Sequence, residues 1–298
     1  MSPAAPGGGE SSPAVVYVAG WGRSGSTLLN RVLAGSDVFG AGEVRWLWQR
    51  GVQGREDCSC GQPWDLCPSW GPAVTGLAAA RGVSPDVLAQ TMHRDGIVAR
   101  RRIAIGRPLG TAGDRYVEGM RSVYEALAAG SGTSTIIDTS KDPAQAMLAR
   151  RTGLPVTVVH LVRDPRAVAW SHQRTKRPPA GAAAGATPRR RTGYVTTRWL
   201  VRNLFLETRG HVDLRLRYED LVAQPSAVVD RVMGRDMVDE PHPHLHHVIA
   251  GNPNRFDTGP LVVRPDTDWV RVQPRPQRAT ASVVALPLLR RYGYRVIS

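Results

Sequence analysis

Residues 20–27 have the sequence G-W-G-R-S-G-S-T and follow an apolar run at Val15–Ala19. A buried strand that turns through glycines into a helix presents backbone N–H groups to an anion. The spacing matches the nucleotide phosphate loop G-x-x-x-x-G-K-[ST], except that Ser26 replaces the lysine. Because that lysine normally contacts the β- and γ-phosphates, its absence argues against an ordinary nucleoside triphosphatase. Arg23 places a cation inside the loop, which predicts a site for a different phosphoanhydride-type anion.

A second cationic segment, L-V-R-D-P-R-A-V-A-W-S, spans residues 161–171. Arg163 follows the β-branched run Val156–Val162, and Ser171 lies in the helix expected after it. In an open α/β sheet, a guanidinium at the carboxyl end of a strand points into the crevice that binds ligands, and its fork matches a phosphate group. The alternative is an ion pair between Arg163 and Asp164 or another surface acid.

Two more residues stand where a predicted strand gives way to a helix. Lys141, within D-T-S-K-D-P at 138–143, can stabilise a transferring anionic group. Glu43, within G-A-G-E-V-R at 40–45, can act as a general base that takes a hydroxyl proton. Each also has a plain interpretation, because a lysine can simply be solvated and the helix dipole favours a glutamate at a helix start.

Histidines compete with Glu43 for the role of base. His172 directly follows Ser171, whereas His160 lies inside a buried strand, where we expect it to pack in the core. A further group has the spacing H-P-H-L-H-H, which fits no metal-site pattern, and comprises His242, His244, His246 and His247.

Three cysteines, Cys58, Cys60 and Cys67, lie within one short segment. Their odd number argues against a disulfide framework. A zinc knuckle would need a fourth ligand and usually C-x-x-C spacing, and neither is present locally. We therefore expect a structural loop or an occasional disulfide, and no metal.

The elements that must position these residues alternate between strand-like and helix-like stretches. The chain has 298 residues, of which 42% are hydrophobic, and the alternation favours one α/β unit around a parallel sheet. Strands are expected at Val15–Ala19, Val38–Gly42, Ile136–Asp138, Val156–Val162 and Val212–Tyr218. Helices are expected at 27–34, from Glu43 onward, and at 84–104, 114–129, 143–151, 165–174, 193–209, 219–235 and 280–291. Residues 52–72 are expected to form a loop.

The domain bounds and the location of the protein can also be predicted from the sequence. Residues 1–13 are expected to form a disordered tail and residues 14–298 the domain. No apolar run approaches the roughly 20 residues of a membrane span. The first residues do not resemble a signal peptide. We therefore expect a cytoplasmic protein.

The formal net charge of +14 favours anionic partners. Residues 174–191 carry six of the positive charges and no acid, and their Pro/Ala/Gly-rich composition predicts a flexible basic loop. Nucleic acid is the obvious rival partner, but no helix-turn-helix, zinc-finger or aromatic RNA-binding motif is present. The Cys/Trp loop, the helices within 84–130 and the basic loop are expected to line an acceptor pocket.

Together these segments resemble the sulfotransferases that use 3′-phosphoadenosine 5′-phosphosulfate (PAPS). G-R-S-G-S-T-L at 22–28 resembles the family's 5′-phosphosulfate loop, and R-D-P-R-A-V-A-W-S at 163–171 resembles its 3′-phosphate motif. Y-E-D-L at 218–221 and the later segments G-N-P-N-R-F, D-T-D-W and R-R-Y-G-Y are similar to a bacterial branch. The resemblance covers nearly all of residues 14–294.

The pattern is also similar to that of tyrosylprotein sulfotransferases, which have R-S-G-T-T-L, G-E-E-T-R and N-K-D-P segments. Their counterparts here are R-S-G-S-T-L, G-E-V-R and S-K-D-P. The similarity implies that Glu43 is the base and that Lys141 stabilises transferring charge. This chain has one glutamate where that pattern has two, and many cytosolic small-molecule sulfotransferases use a histidine, so His172 stays an alternative.

The resemblance implies a P-loop-like, three-layer α/β/α domain with a central parallel sheet. It implies transfer of a sulfuryl group from PAPS to a hydroxyl or amine of a small-molecule, glycan or lipid acceptor, without a metal, nucleic acid or membrane span. The donor would be held by Arg23, Ser24, Gly25, Ser26, Thr27, Arg163, Ser171 and Arg255. The alternatives are a P-loop-type kinase, for which Asp138 could bind Mg²⁺, and a basic nucleic-acid-binding module.

Overall fold

The computed structural model describes residues 12–35, 37–236, 245–257 and 259–296. Its strands are β1 (Ala14–Gly20), β2 (Val38–Gly42), β3 (Thr135–Lys141), β4 (Val156–Val162) and β5 (Leu214–Arg217). They form one parallel sheet in the order β2-β3-β1-β4-β5. This sheet confirms the predicted α/β class with a central parallel sheet in a single domain. Most of the expected N-terminal tail lies outside the described residues.

Helices surround this sheet. They are α1 (Ser26–Leu33), α2 (Trp70–Ala80), α3 (Pro85–Ala104), α4 (Gly110–Ser131), α5 (Pro143–Ala149), α6 (Pro165–Gln173), α7 (Thr192–Arg209), α8 (Tyr218–Ala223), α9 (Pro225–Met233), α10 (Trp269–Val272) and α11 (Arg275–Leu289). Short 3₁₀ turns lie at Val44–Trp46, Arg150–Thr152 and Pro253–Phe256, and a π-helical stretch at Leu47–Gln53. A search of the described helices for a segment that could span a bilayer finds none.

Alternate side chains of β1 enter two different cores, as the two-residue period of a strand requires. Val15 and Tyr17 pack in the core that contains α2, α3, α4 and α5. Val16 and Val18 pack on the opposite face, with α1, α8 and α9. Apolar side chains thus cover both faces of the sheet, as expected for parallel strands. The result is the predicted three-layer α/β/α arrangement.

At the carboxyl edge of the sheet, each strand ends at or leads into a residue or loop that could take part in binding or catalysis. β1 leads into the glycine loop before α1, and β2 leads directly to Glu43. β3 ends at Lys141, β4 leads to Arg163, and β5 leads to Tyr218. Because parallel strands all end on the same edge, residues far apart in sequence become neighbours there.

The structure differs from the prediction in two places. The helix expected from Glu43 is instead the 3₁₀ turn and π-helical stretch that end at Gln53. Residues 70–80 form α2, although Pro72 and the glycines of this segment indicate a loop. Burial of Trp70 and Val74 in the core stabilises this helix despite its poor local signal.

Candidate active site

A cavity of about 410 Å³ lies at the carboxyl edge of the sheet. The glycine loop, Glu43, Lys141, Arg163 and Tyr218 all line it, so every strand end contributes. Six basic side chains line the cavity, against two acidic ones. This excess of positive charge favours an anionic ligand.

The glycine loop has left-handed backbone at two positions. Arg23 has φ +67° and Gly25 has φ +96°. A Cβ atom at Gly25 would lie 2.5 Å from the Tyr218 ring, so a side chain there would displace the ring. Helix α1 begins at Ser26, and the N–H groups of its first turn have no partner within the helix. The loop and helix therefore form a concavity of the kind that suits an anion.

Buried donor atoms surround this concavity without partners among the described residues. They are Arg23 Nη1, Ser24 Oγ and Arg163 Nε. A buried donor without an acceptor costs free energy, so a ligand that offered acceptors to these atoms would gain affinity. Ser26 and Thr27 line the cavity, whereas the buried Ser24 does not.

Arg163 lies at the edge of the cavity in a preorganised position. Its Nη1 donates to the Arg23 carbonyl at 3.1 Å, and its guanidinium lies 4.1 Å above the Tyr218 ring. An ion pair joins its Nη2 to Asp266 at 3.1 Å. Asp164, the acid considered first in the sequence, instead caps α6. Arg163 thus has an acidic partner, but one that itself lines the cavity.

Helix α6 supplies two neighbouring residues to the same wall. Ser171 is buried and lines the cavity beside His172. Burial, together with the positive charge of Arg23, lowers the pKa of His172 to about 4. His172 is therefore neutral near pH 7, and its position keeps it an alternative base.

Glu43 and Lys141 form an ion pair at the other end of the cavity. The Lys141 Nζ lies 2.7 Å from the Glu43 Oε1 and also donates to the Thr139 carbonyl at 2.8 Å. The backbone of Lys141 is left-handed, with φ +63°. Gly251 packs so closely that a Cβ atom there would lie 2.5 Å from the same Glu43 oxygen. The carboxylate is therefore fixed both electrostatically and sterically.

Arg255 does not line this cavity. Its Nη2 contacts the Glu56 carboxylate at 3.3 Å and donates to the Asp57 carbonyl at 3.2 Å. Its Nη1 donates to the Gly251 carbonyl at 3.0 Å. The side chain is 1% exposed. The geometry therefore gives the predicted donor contact of Arg255 no support, and it shows instead a clamp that holds the Gly251 segment against residues 56–57.

The basic loop 174–191 contains neither helix nor strand and lies over the cavity. Lys176, Thr187 and Arg190 line it, and Thr187 accepts a hydrogen bond from Arg23 at 2.6 Å. Burial, reinforced by the Arg23 charge, lowers the pKa of Lys176 to about 8. The richness of this segment in Arg and Lys signals these contacts, but sequence alone does not select the residues. The Cys/Trp loop and the helices within 84–130 do not line this cavity.

The remaining histidines and Asp138 lie elsewhere. His160 is fully buried and contacts Asn203 at 2.6 Å, which confirms its core position. His246 contacts Asn30 at 3.3 Å, and His247 meets the cysteines. Asp138 is fully buried and accepts from Tyr124 at 2.7 Å and from the Ser140 backbone at 2.8 Å. Burial raises the pKa of Asp138 to about 6, and its carboxylate does not line the cavity, so it is a poor Mg²⁺ ligand. His242 and His244 lie outside the described residues.

Solved structures of other proteins share the fold of this chain. Two solved structures each align over 96% of this chain with a TM-score of 0.51. One is the sulfotransferase domain from the Synechococcus PCC 7002 olefin synthase, at 18% identity over 97% of that domain. The other is the sulfotransferase domain from the curacin biosynthetic pathway, at 17% identity over 99% of that domain. At these identities the likeness shows the fold.

A search of curated protein sequences finds no match. A family model described as "Sulfotransferase family" matches residues 13–235. This range includes the glycine loop, Glu43, Lys141, Arg163 and Ser171. On this match, the chain belongs to the sulfotransferase family.

Proposed function

We propose that this protein transfers a sulfuryl group from PAPS to a hydroxyl or amine of an acceptor. The observation that carries the proposal is the single cavity that joins an anion-binding loop to the Glu43–Lys141 pair. The donor supplies an activated sulfuryl group on a phosphate leaving group. The chain must then bind the donor, place the acceptor in line and take one proton.

The Arg163 end of the cavity fits a nucleotide that carries phosphate at two positions. The loop N–H groups, Arg23 and the hydroxyls of Ser26 and Thr27 would hold the 5′-phosphosulfate. Arg163 and Ser171 would hold the 3′-phosphate, which distinguishes this donor from ATP. The unpartnered donor atoms Arg23 Nη1 and Arg163 Nε support this fit.

The Glu43 end fits the proton transfer. The Glu43 carboxylate would accept the proton of the attacking hydroxyl or amine, and a positioned base contributes roughly 10²–10⁴-fold to a rate. Lys141 would orient that carboxylate and stabilise the negative charge that develops on the leaving oxygen. Its strained backbone conformation and its ion pair support this fixed placement.

The basic loop would cover the bound donor. Lys176 and Arg190 add two cations to the cavity wall, and the Arg23–Thr187 hydrogen bond links the loop to the phosphate loop. We infer that this loop orders around the nucleotide and excludes water from the transfer. We propose a small molecule, a glycan or a lipid as the acceptor, with no nucleic-acid partner.

A thermal-shift titration tests the donor class. Stabilisation by 3′,5′-adenosine diphosphate without Mg²⁺ is expected, because the proposed contacts need no metal clamp. Stabilisation by Mg·ATP alone would instead support a kinase. Incubation with radiolabelled PAPS and a fractionated extract of the native host then tests transfer, and label in an acceptor fraction is the expected result.

A further inference from the structure

The three cysteines of the chain converge on His247, which lies about 180 residues away. One ligand atom from each of Cys58, Cys60, Cys67 and His247 falls within 4.8 Å of all the others. The Cys67 Sγ is 3.2 Å and the Cys58 Sγ is 3.7 Å from the His247 Nδ1. All three cysteines are free thiols, and only Cys60 is exposed.

These spacings resemble those in the coordination shell of a tetrahedral metal ion. Zinc bonds of about 2.3 Å to sulfur and 2.0–2.1 Å to nitrogen give ligand-to-ligand distances of about 3.6–3.8 Å. Of the two sulfur–nitrogen distances, 3.7 Å lies within that range and 3.2 Å lies below it. A disulfide would account for two of the four groups and leave the third thiol and His247 unexplained.

The surrounding backbone holds the cluster in place. Gly61, with φ +79°, turns the chain between Cys60 and Gln62, and the Cys58 N–H donates to the Gln62 carbonyl at 2.8 Å. Ser59 contacts the Cys58 Sγ at 3.9 Å and also pairs with the histidine segment. Its Oγ donates to the His246 carbonyl at 2.8 Å and accepts from the Val248 N–H at 2.9 Å.

A further contact fixes the histidine itself. Trp70 donates its indole N–H to the His247 carbonyl at 2.7 Å. The His247 ring stacks on Phe39, with ring centres 6.0 Å apart and planes 8° from parallel. Its Nδ1 is thereby directed at the sulfurs. Such supporting contacts orient ligands in metal sites.

We propose that Cys58, Cys60, Cys67 and His247 form a structural zinc site. Three thiols and an imidazole are soft to borderline ligands, which suit Zn²⁺. Four protein ligands fill a tetrahedral shell, so no position is open for substrate. On binding, each thiol releases its proton to solvent, and His247 binds as a neutral imidazole through Nδ1. Three thiolates and one Zn²⁺ leave the site with a net charge of −1.

His247 lies four residues before Gly251, which lines the cavity. The proposed site joins the cysteine loop to the segment that carries Gly251 and Asn252, both of which line the cavity. Arg255 clamps the same segment from its other end. Zinc would therefore fix the wall that presses on Glu43. This role is independent of which donor or acceptor the enzyme uses.

The test uses the full chain, purified without a histidine tag in metal-free buffer, with elemental analysis by mass spectrometry. We expect one zinc per chain, and intense visible absorption after replacement by cobalt, as tetrahedral cobalt thiolates show. Cys60→Ser is the main variant, because the exposed side chain leaves no buried cavity when it is changed. It should lose most of the zinc and the visible band.

A matched pair of histidine variants separates ligation from folding. His247→Ala should lose the metal, whereas His93→Ala, at a histidine outside the cluster, should retain it. A chelator should lower the melting temperature of the wild type and leave that of Cys60→Ser unchanged. The proposal is overturned if the metal-free wild type binds no zinc in a titration against a competing chelator dye. It is equally overturned if Cys60→Ser binds as tightly as the wild type, or if two thiols resist alkylation until reduced.

Discussion

At the Glu43 end of the cavity the carboxylate already has a cationic partner in Lys141. At the Arg163 end, Arg163 also pairs with Asp266, but the Arg163 Nε and the Arg23 Nη1 have no partner among the residues described. Buried donors without acceptors favour ligand binding, because a ligand that accepts their hydrogen bonds removes the free-energy cost of leaving them unpaired. A pre-formed ion pair gains less from binding, but it holds a reactive group in one place. We therefore expect substitutions at the Glu43 end to alter the rate of transfer and substitutions at the Arg163 end to alter the affinity for the donor.

The largest expected effect is on turnover, from Glu43→Gln. Loss of the base should lower the rate about 10²–10⁴-fold, while the affinity for 3′,5′-adenosine diphosphate stays nearly unchanged. Label transfer from PAPS and calorimetric titration measure the two quantities. Glu118→Gln, at an exposed glutamate of α4, is the control and should change neither. If Glu43→Gln turned over at the wild-type rate, Glu43 would not be the base, and His172 would be the next candidate.

Arg163→Ala should weaken the binding of 3′,5′-adenosine diphosphate by about 1.5–3 kcal/mol, the value of a charge-assisted hydrogen bond. This corresponds to roughly 10- to 150-fold in Kd. Arg174→Ala is a close control, because Arg174 also pairs with Asp266, at 2.9 Å, but does not line the cavity. Equal weakening in both variants would show a general charge effect rather than a specific contact.

Asp266→Asn should act in the opposite direction. The Asp266 carboxylate competes with a phosphate for Arg163, so its neutralisation should tighten nucleotide binding severalfold. We expect about 0.5–1 kcal/mol, because the pair is partly exposed to solvent. Calorimetry measures this effect, and Asp268→Asn, at an exposed acid nearby, should leave the Kd unchanged. Weaker binding in Asp266→Asn would mean that this acid positions Arg163 rather than competing for it.

The smallest expected effect is a dependence of affinity on pH. In the free protein, burial lowers the pKa of Lys176 to about 8. A bound anion favours the charged lysine and therefore raises the pKa of Lys176. The affinity for the anion is thus highest below pH 8, and it declines as the pH rises above 8. Lys176→Arg should flatten this decline, because arginine stays charged. Titrations at several pH values measure it, and an unchanged decline in the variant would assign it to another group.

The parts of the site that sequence predicts well are those encoded by a strand and the turn after it. The glycine loop, Glu43, Lys141 and Arg163 each follow a β-branched or apolar run, and a parallel sheet must gather such strand ends. The ion pair between Glu43 and Lys141 follows from the adjacency of β2 and β3, which sequence alone does not give.

Other features depend on contacts between distant segments. The meeting of His247 with the cysteines could not be predicted locally, because spacing rules for metal sites search within a short range. For Arg255, by contrast, the local sequence predicts a contact that the geometry does not support. Its motif suggests a ligand contact, but burial beside Glu56 gives it a structural partner.

The sheet order has a consequence for folding. The cavity draws on all five strands of the sheet, from the glycine loop after β1 to Tyr218 after β5, so no fragment that lacks one of these strands holds the complete cavity. Bound nucleotide should accordingly slow amide hydrogen exchange along every strand, including those it does not touch, because exchange there requires opening the whole sheet. The fraction of the protein that binds nucleotide should therefore also measure the fraction whose sheet is intact.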